Sequence, residues 1–214
     1  MKTRRSGFDV MSPYIYPFYI LFHPADGFQE MKINKKSSPK LAFFVLFLWM
    51  VSEVFKRVVT DYDFNAFADT KFDISNVFVI TIFSFALFVI SNWCFCTLLD
   101  GKGKLLDIIV VGAYALIPYI IVKIAVTMLS FITDAEAGAQ IFNILNTLSI
   151  VWGCCVVFIG LMVMHDYTFP MTCASVLLTF IGAIIAFFIA LLITTLFQQF
   201  VDFINAVYTE VKYR

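Results

Sequence analysis

Charge is what this chain has least of: 15 Lys and Arg and 15 Asp and Glu, 14% of its 214 residues. Soluble domains carry about a quarter charged residues. So few charges cannot cover a water-facing surface when 61% of the residues are hydrophobic, and a bilayer is then the main solvent. The two signs balance, so net charge points to no nucleic acid or other polyanion as partner. Histidine is nearly absent, with His23 and His165 alone. Five cysteines, Cys94, Cys96, Cys154, Cys155 and Cys173, all lie in or beside apolar runs. A structural zinc site needs four nitrogen or sulfur ligands in close array. Cys94 and Cys96 sit two apart, which on a helix points them to nearly opposite sides. The cysteines therefore read as small apolar fillers, and the sequence points to no metal and no cofactor. Strand-like alternation is lacking too, which leaves helices as the membrane-spanning form. No small-x-small cleavage site follows the short apolar stretch Tyr14–Phe22, which Pro17 interrupts. That stretch is expected to be retained, although Arg4-Arg5 precede it.

What the chain has in quantity is long apolar segments. Five stand out, at about 41–59, 74–99, 105–132, 141–164 and 171–200. Each approaches or exceeds the roughly 20 residues a spanning helix needs. The expected fold is an all-α integral membrane protein: a five-helix transmembrane bundle over 41–214, preceded by a short amphipathic segment over 1–40. Lys and Arg near segment ends set orientation. Lys2, Arg4, Arg5, Lys32, Lys35, Lys36, Lys40, Lys102 and Lys104 fall on one side, nine against the five of Lys56, Arg57, Lys71, Lys212 and Arg214. The poorer side is also acidic, with Asp61, Asp63, Asp69, Asp73, Asp134 and Glu136. The N-terminus is thus expected in the cytoplasm and the C-terminus outside, with Lys56-Arg57 a local exception. In Phe22–Lys36, Pro24, Asp26 and Gly27 form a turn, and Phe28, Met31 and the lysines read as an amphipathic piece on the inner leaflet. A basic tail without structure fits that pattern equally well. Lysines near an anionic surface contribute about 1 kcal/mol each.

Four constellations bear on function. Asp100-Gly-Lys-Gly-Lys104 invites a phosphate-loop reading, but its two glycines are two apart and no Ser or Thr follows Lys104. The phosphate loop requires G-x-x-x-x-G-K-[ST] after a strand. A tight turn explains the run better: Gly101 caps one helix, the lysines meet the leaflet, and Asp107 suits the next helix's first turn. His165-Asp166-Tyr167 hints at catalysis, but no nucleophile or metal set is placed to join it, so it reads as interface anchoring. Lys123 lies inside the third segment, past Pro118, where a charge costs about 2.5–3.5 kcal/mol at mid-membrane. It pairs with Glu53 across the bundle, or it snorkels outward while Glu53 pairs with Lys56 or Arg57. The sequence leaves both open and leans to the second. With Asn92, Glu53 and Lys123 form the candidate intramembrane polar site. Last, Ala174, Gly182, Ala186, Ala190 and Thr194 recur at multiples of four. Such a stripe permits close helix packing, within the chain or in a homo-oligomer through the last helix.

These residues together resemble the Ypt/Rab-interacting-protein (Yip) domain family, and its bacterial branch in particular. The matching stretches are HPADGFQEMK at 23–32, NWCFCTLLDGKGKLLDI at 92–108, AYALIP at 113–118, MHDY at 164–167 and VYTEVKYR at 207–214. The resemblance covers nearly the whole chain. It implies a five-helix membrane protein of the bacterial cytoplasmic membrane. Eukaryotic members are associated with Rab GTPases and vesicle traffic, and carry an Asp-Leu-x-Gly-Pro element in a longer N-terminal region. This chain lacks that element, so GTPase binding is not carried over. The expected role is non-enzymatic: a membrane scaffold or adaptor, or an accessory subunit of a membrane complex, in contact with the lipid bilayer and a protein partner. Its docking face would be the N-terminal basic piece with Asp100, Lys102, Lys104, His165 and Tyr167. The rival expectation is a small permease or channel subunit that uses Glu53, Asn92 and Lys123 beside the Pro118 break.

Overall fold

The computed structural model describes residues 15–34, 38–60, 73–133 and 135–213. The basic residues before position 15, Lys35, Lys36, the loop at 61–72, Asp134 and Arg214 lie outside the described residues, so the charge count that set the orientation rests partly on them. All elements among the described residues are helices: α1 (Tyr16–Phe22), α2 (Pro24–Asn34), α3 (Pro39–Val59), α4 (Ile74–Leu98), α5 (Leu105–Ala115), α6 (Ile117–Leu129), α7 (Ala135–His165) and α8 (Phe169–Tyr213).

Local chemistry fixes the helix starts. Ser38 caps α3, its Oγ accepting the Leu41 N–H at 3.4 Å, and Pro39 follows where a missing N–H costs nothing. Asp73 caps α4, accepting the Ser75 N–H at 2.9 Å. Asp107 reaches back to the Lys104 N–H at 2.9 Å. The third apolar segment divides into α5 and α6 at Leu116, because Pro118 has no N–H for the Tyr114 carbonyl and its ring crowds that carbonyl.

Among the described residues four spans are long and apolar enough to cross a membrane: Ile74–Leu98, Leu105–Leu129, Gly138–His165 and Phe169–Tyr213. The first predicted segment, now α3, does not reach that standard by itself. Its longest stretch without a charge is Leu41–Ser52, because Glu53, Lys56 and Arg57 close it early. The last predicted segment runs longer than expected. At 45 residues, α8 measures about 67 Å, over twice the hydrocarbon thickness of a bilayer.

α5 is the hub. Val110, Val111, Gly112, Ala113, Tyr114 and Ala115 are all buried, with α7, α3, α4 and α1 around them, and α8 lies chiefly on α4. The N-terminal segment packs on the bundle. Its helix α2 has an apolar side, but Phe28 and Met31 are fully buried along α7. Gly160 of α7 makes room: a Cβ there would meet Val111 at 2.6 Å and Phe28 at 2.9 Å. The Trp152 indole N–H also donates to the Leu21 carbonyl at 3.0 Å, satisfying the end of α1.

Candidate functional site

The lysine-bearing end of the bundle is built from two matched helix ends. After α4, Asp100 takes a left-handed conformation (φ 56°), and after α7 Asp166 does the same (φ 59°). Aspartate tolerates this region better than most side chains. The Gly101 N–H then bonds the Cys96 carbonyl at 2.8 Å, and the Tyr167 N–H bonds the Met162 carbonyl at 3.0 Å. Both are Schellman closures. The predicted glycine cap is therefore corrected: Asp100, not Gly101, is the left-handed residue.

The glycines answer to space instead. A Cβ on Gly101 would strike Tyr167 Oη and lie 2.6 Å from His165 Nδ1, and one on Gly103 would lie 2.7 Å from His165 Cε1. The turn is pressed onto the His165–Tyr167 corner, whose rings stack at 5.2 Å. The Gly103 N–H donates to His165 Nδ1 at 3.3 Å, and Tyr167 Oη donates to the Cys96 carbonyl at 3.1 Å. Burial pushes the Tyr167 phenol above its ordinary value, which keeps it a donor.

Asp166 ties in the third strand of chain. Lys32 of α2 meets its Oδ1 at 2.7 Å and Lys102 meets its Oδ2 at 3.4 Å. The Lys32 hydrogen bond, with Lys102 adding to it, holds the Asp166 carboxyl below the usual carboxylate range. Lys32 also donates to the Val163 carbonyl at 2.8 Å, which accepts the Asp166 N–H at 3.4 Å as well. Of the predicted face, Asp100, Lys102 and Lys104 are exposed, Tyr167 is half-buried and His165 is buried. His165 thus supports the face from beneath. Asp166, Gly101 and Gly103 were not singled out as site residues. The signal for Asp166 was a carboxylate between two ring residues at a helix end, with lysines elsewhere to pair with it.

The predicted intramembrane site divides in two. Lys123 on α6 is buried and forms an ion pair with Glu53 on α3, so the snorkelling arrangement is not the one adopted. Lys123 also donates to Tyr119 Oη at 2.8 Å, with its ammonium 4.5 Å from the ring centre. Tyr119 Oη in turn donates to Glu53 Oε1 at 3.4 Å, and the Trp49 indole N–H donates to the same oxygen at 3.1 Å. Trp49 and Tyr119 each stand four residues before the charge they serve, a spacing that places side chains together on one helix face. Asn92 is not part of this cluster. It is fully buried between α4 and α8, donating to Thr179 Oγ1 at 2.9 Å. The Cys96 thiol lies 3.2 Å from Ser175 Oγ beside it. Cys96 is therefore a member of a polar seam, whereas Cys94, Cys154, Cys155 and Cys173 are exposed.

Of the predicted small-residue stripe, Gly182 is buried, Ala186 and Ala190 are half-buried, and Ala174 and Thr194 are exposed, so the face of α8 that packs within the chain is a different one. Thr172, Ser175, Thr179 and Gly182 are buried, and a Cβ on Gly182 would strike the Phe95 ring of α4. No group of three His, Cys, Asp or Glu side chains that could hold a metal ion occurs among the described residues.

Apolar helices of spanning length, joined by short turns and knotted at one end by a carboxylate between two lysines, define a multi-pass integral membrane protein. The profile of the Yip1 domain family matches residues 18–194, and the chain belongs to that family. No curated protein and no solved structure matches it.

Proposed function

We propose that this protein is a non-enzymatic scaffold or adaptor, or an accessory subunit of a membrane complex, with a trafficking-like role. In this reading α3 is a fifth crossing. The N-terminus and the Lys102 end face the cytoplasm, the C-terminus lies outside, and the membrane is the bacterial cytoplasmic one. The observation that carries the reading is the Asp166 tie. Three segments far apart in sequence meet through one carboxylate, beside a turn that packs on the His165–Tyr167 corner and presents exposed Asp100, Lys102 and Lys104. Rigid, charged, solvent-facing surfaces suit protein docking, since pre-organisation lowers the ordering cost of association. A photo-crosslinker at Lys102 should join one defined protein. The adduct should vanish when Asp100 and Lys104 are reversed in charge. Adducts with lipid or with the chain itself alone would count against docking.

A second reading has one observation behind it: an ion pair inside the bundle, beside the helix break at Leu116, as in a small permease or channel subunit. Buried intramembrane charges often mark solute or proton paths. Lys123→Leu in liposomes discriminates: flux that survives in a folded variant removes this reading.

A further inference from the structure

We infer that α3, α4 and α5 form a binding site for one anionic phospholipid of the leaflet on the lysine-bearing side. A groove of about 420 Å³ opens between these helices, lined by Phe43, Phe47, Trp49, Phe85, Ala86 and Leu105 among others. Its walls are hydrocarbon and aromatic, and α3 and α4 do not close over it. It follows α3 from Phe43 to Met50 and α4 from Ile90 to Thr81. At 1.5 Å per residue these runs are about 10 and 14 Å, the depth of one leaflet's hydrocarbon, about 15 Å. Water has nothing to bond there, and a bilayer offers acyl chain.

The head end of the groove selects the lipid. Leu105 lines it directly after Lys104, and Phe43 lines it one turn after Lys40, so that Lys40 and Phe43 share a face of α3. Both lysines are exposed. The nearby Asp107 carboxylate is engaged by the Lys104 backbone N–H at 2.9 Å. A chain seated in the groove therefore brings its phosphate to two cations at the level where headgroups lie. The site is separate from the Asp166 tie and does not depend on a protein partner.

Native mass spectrometry of the full chain, delipidated and then given equimolar phosphatidylglycerol and phosphatidylcholine, tests this. One phosphatidylglycerol per chain should be retained. Each lysine near an anionic headgroup is worth about fivefold, so the preference should be on the order of thirtyfold. Lys40→Gln with Lys104→Gln, both on the surface and harmless to the fold, should abolish the preference while a lipid of either kind still binds. Ala86→Phe should fill the groove and release both lipids. Equal retention of the two lipids by the natural chain, or a preference that outlives the double lysine variant, overturns the inference. Should Ala86→Phe fail to fold, the lysine variant decides alone.

Discussion

Removing Glu53 should harm this protein more than removing Lys123, and the reason lies in what each leaves behind. Glu53→Gln strands the Lys123 ammonium, whose side chain is only 3% exposed, and leaves it the neutral Tyr119 Oη at 2.8 Å. Breaking a buried ion pair from one side costs about 3–5 kcal/mol. Lys123→Leu strands a carboxylate that is 24% exposed and keeps the Trp49 and Tyr119 donors. Its cost should fall nearer the about 1–3 kcal/mol of an under-satisfied polar group. With both replaced, no charge is stranded, and the loss should be smaller than the sum of the two single losses by at least about 2 kcal/mol. Reversible unfolding in bicelles, followed by steric trapping, reads all three variants. Additive losses within about 0.5 kcal/mol, or a Glu53→Gln loss below about 1 kcal/mol, would refute the reasoning.

Gly103→Ala should cost about 1–3 kcal/mol, because the new methyl meets the His165 ring and the turn has no room to yield; thermal unfolding in detergent measures it, and a neutral result would show that the turn and the corner are not in contact. Gly182→Ala should loosen α8 from α4 by a similar amount, since Phe95 occupies the space, and cross-linking between those helices should fall with it. Asp166→Asn should cost no more than about 1 kcal/mol, as its side chain is half exposed and water screens the pairs. The pH dependence has a defined sign. A carboxyl held below its ordinary pKa contributes stability above about pH 4 and loses it as pH falls through the lowered value. An acid titration of stability should thus separate Asp166→Asn from the natural chain above pH 4 and bring them together as pH falls through the lowered value.

The fold class was legible because the bilayer imposes a crude requirement, and twenty apolar residues satisfy it visibly. The ends of α4 and the start of α5 were legible within a residue or two, since Asp100 and Asp107 are helix-end chemistry, whereas the end of α5 at Ala115 was not. α3 was less legible: Glu53 shortens its uncharged stretch, and only the contact with Lys123 shows how that charge is accommodated. A single sequence cannot say which distant residue answers a buried charge. The docking of α2 on α7 was hidden for a similar reason. Phe28 and Met31 are apolar toward lipid or toward protein alike, and Gly160, which decides the matter, is one glycine among many small residues. Asn92 was grouped with Glu53 and Lys123 because all three are polar and intramembrane. Depth along a helix says nothing about which neighbour it faces, and α4 turns Asn92 to α8.

The placement of the chain across the bilayer carries the whole account, and impermeant thiol labelling of single-cysteine variants, made after the five natural cysteines are replaced, tests it most directly. Labels at Asn34, Lys102 and Thr168 should react from the cytoplasmic side alone, and labels at Thr60 and Thr133 from the outer side alone. Reaction of positions 34 and 60 from the same side would mean that α3 does not cross, and the face assembled around Asp166 would lose its proposed compartment.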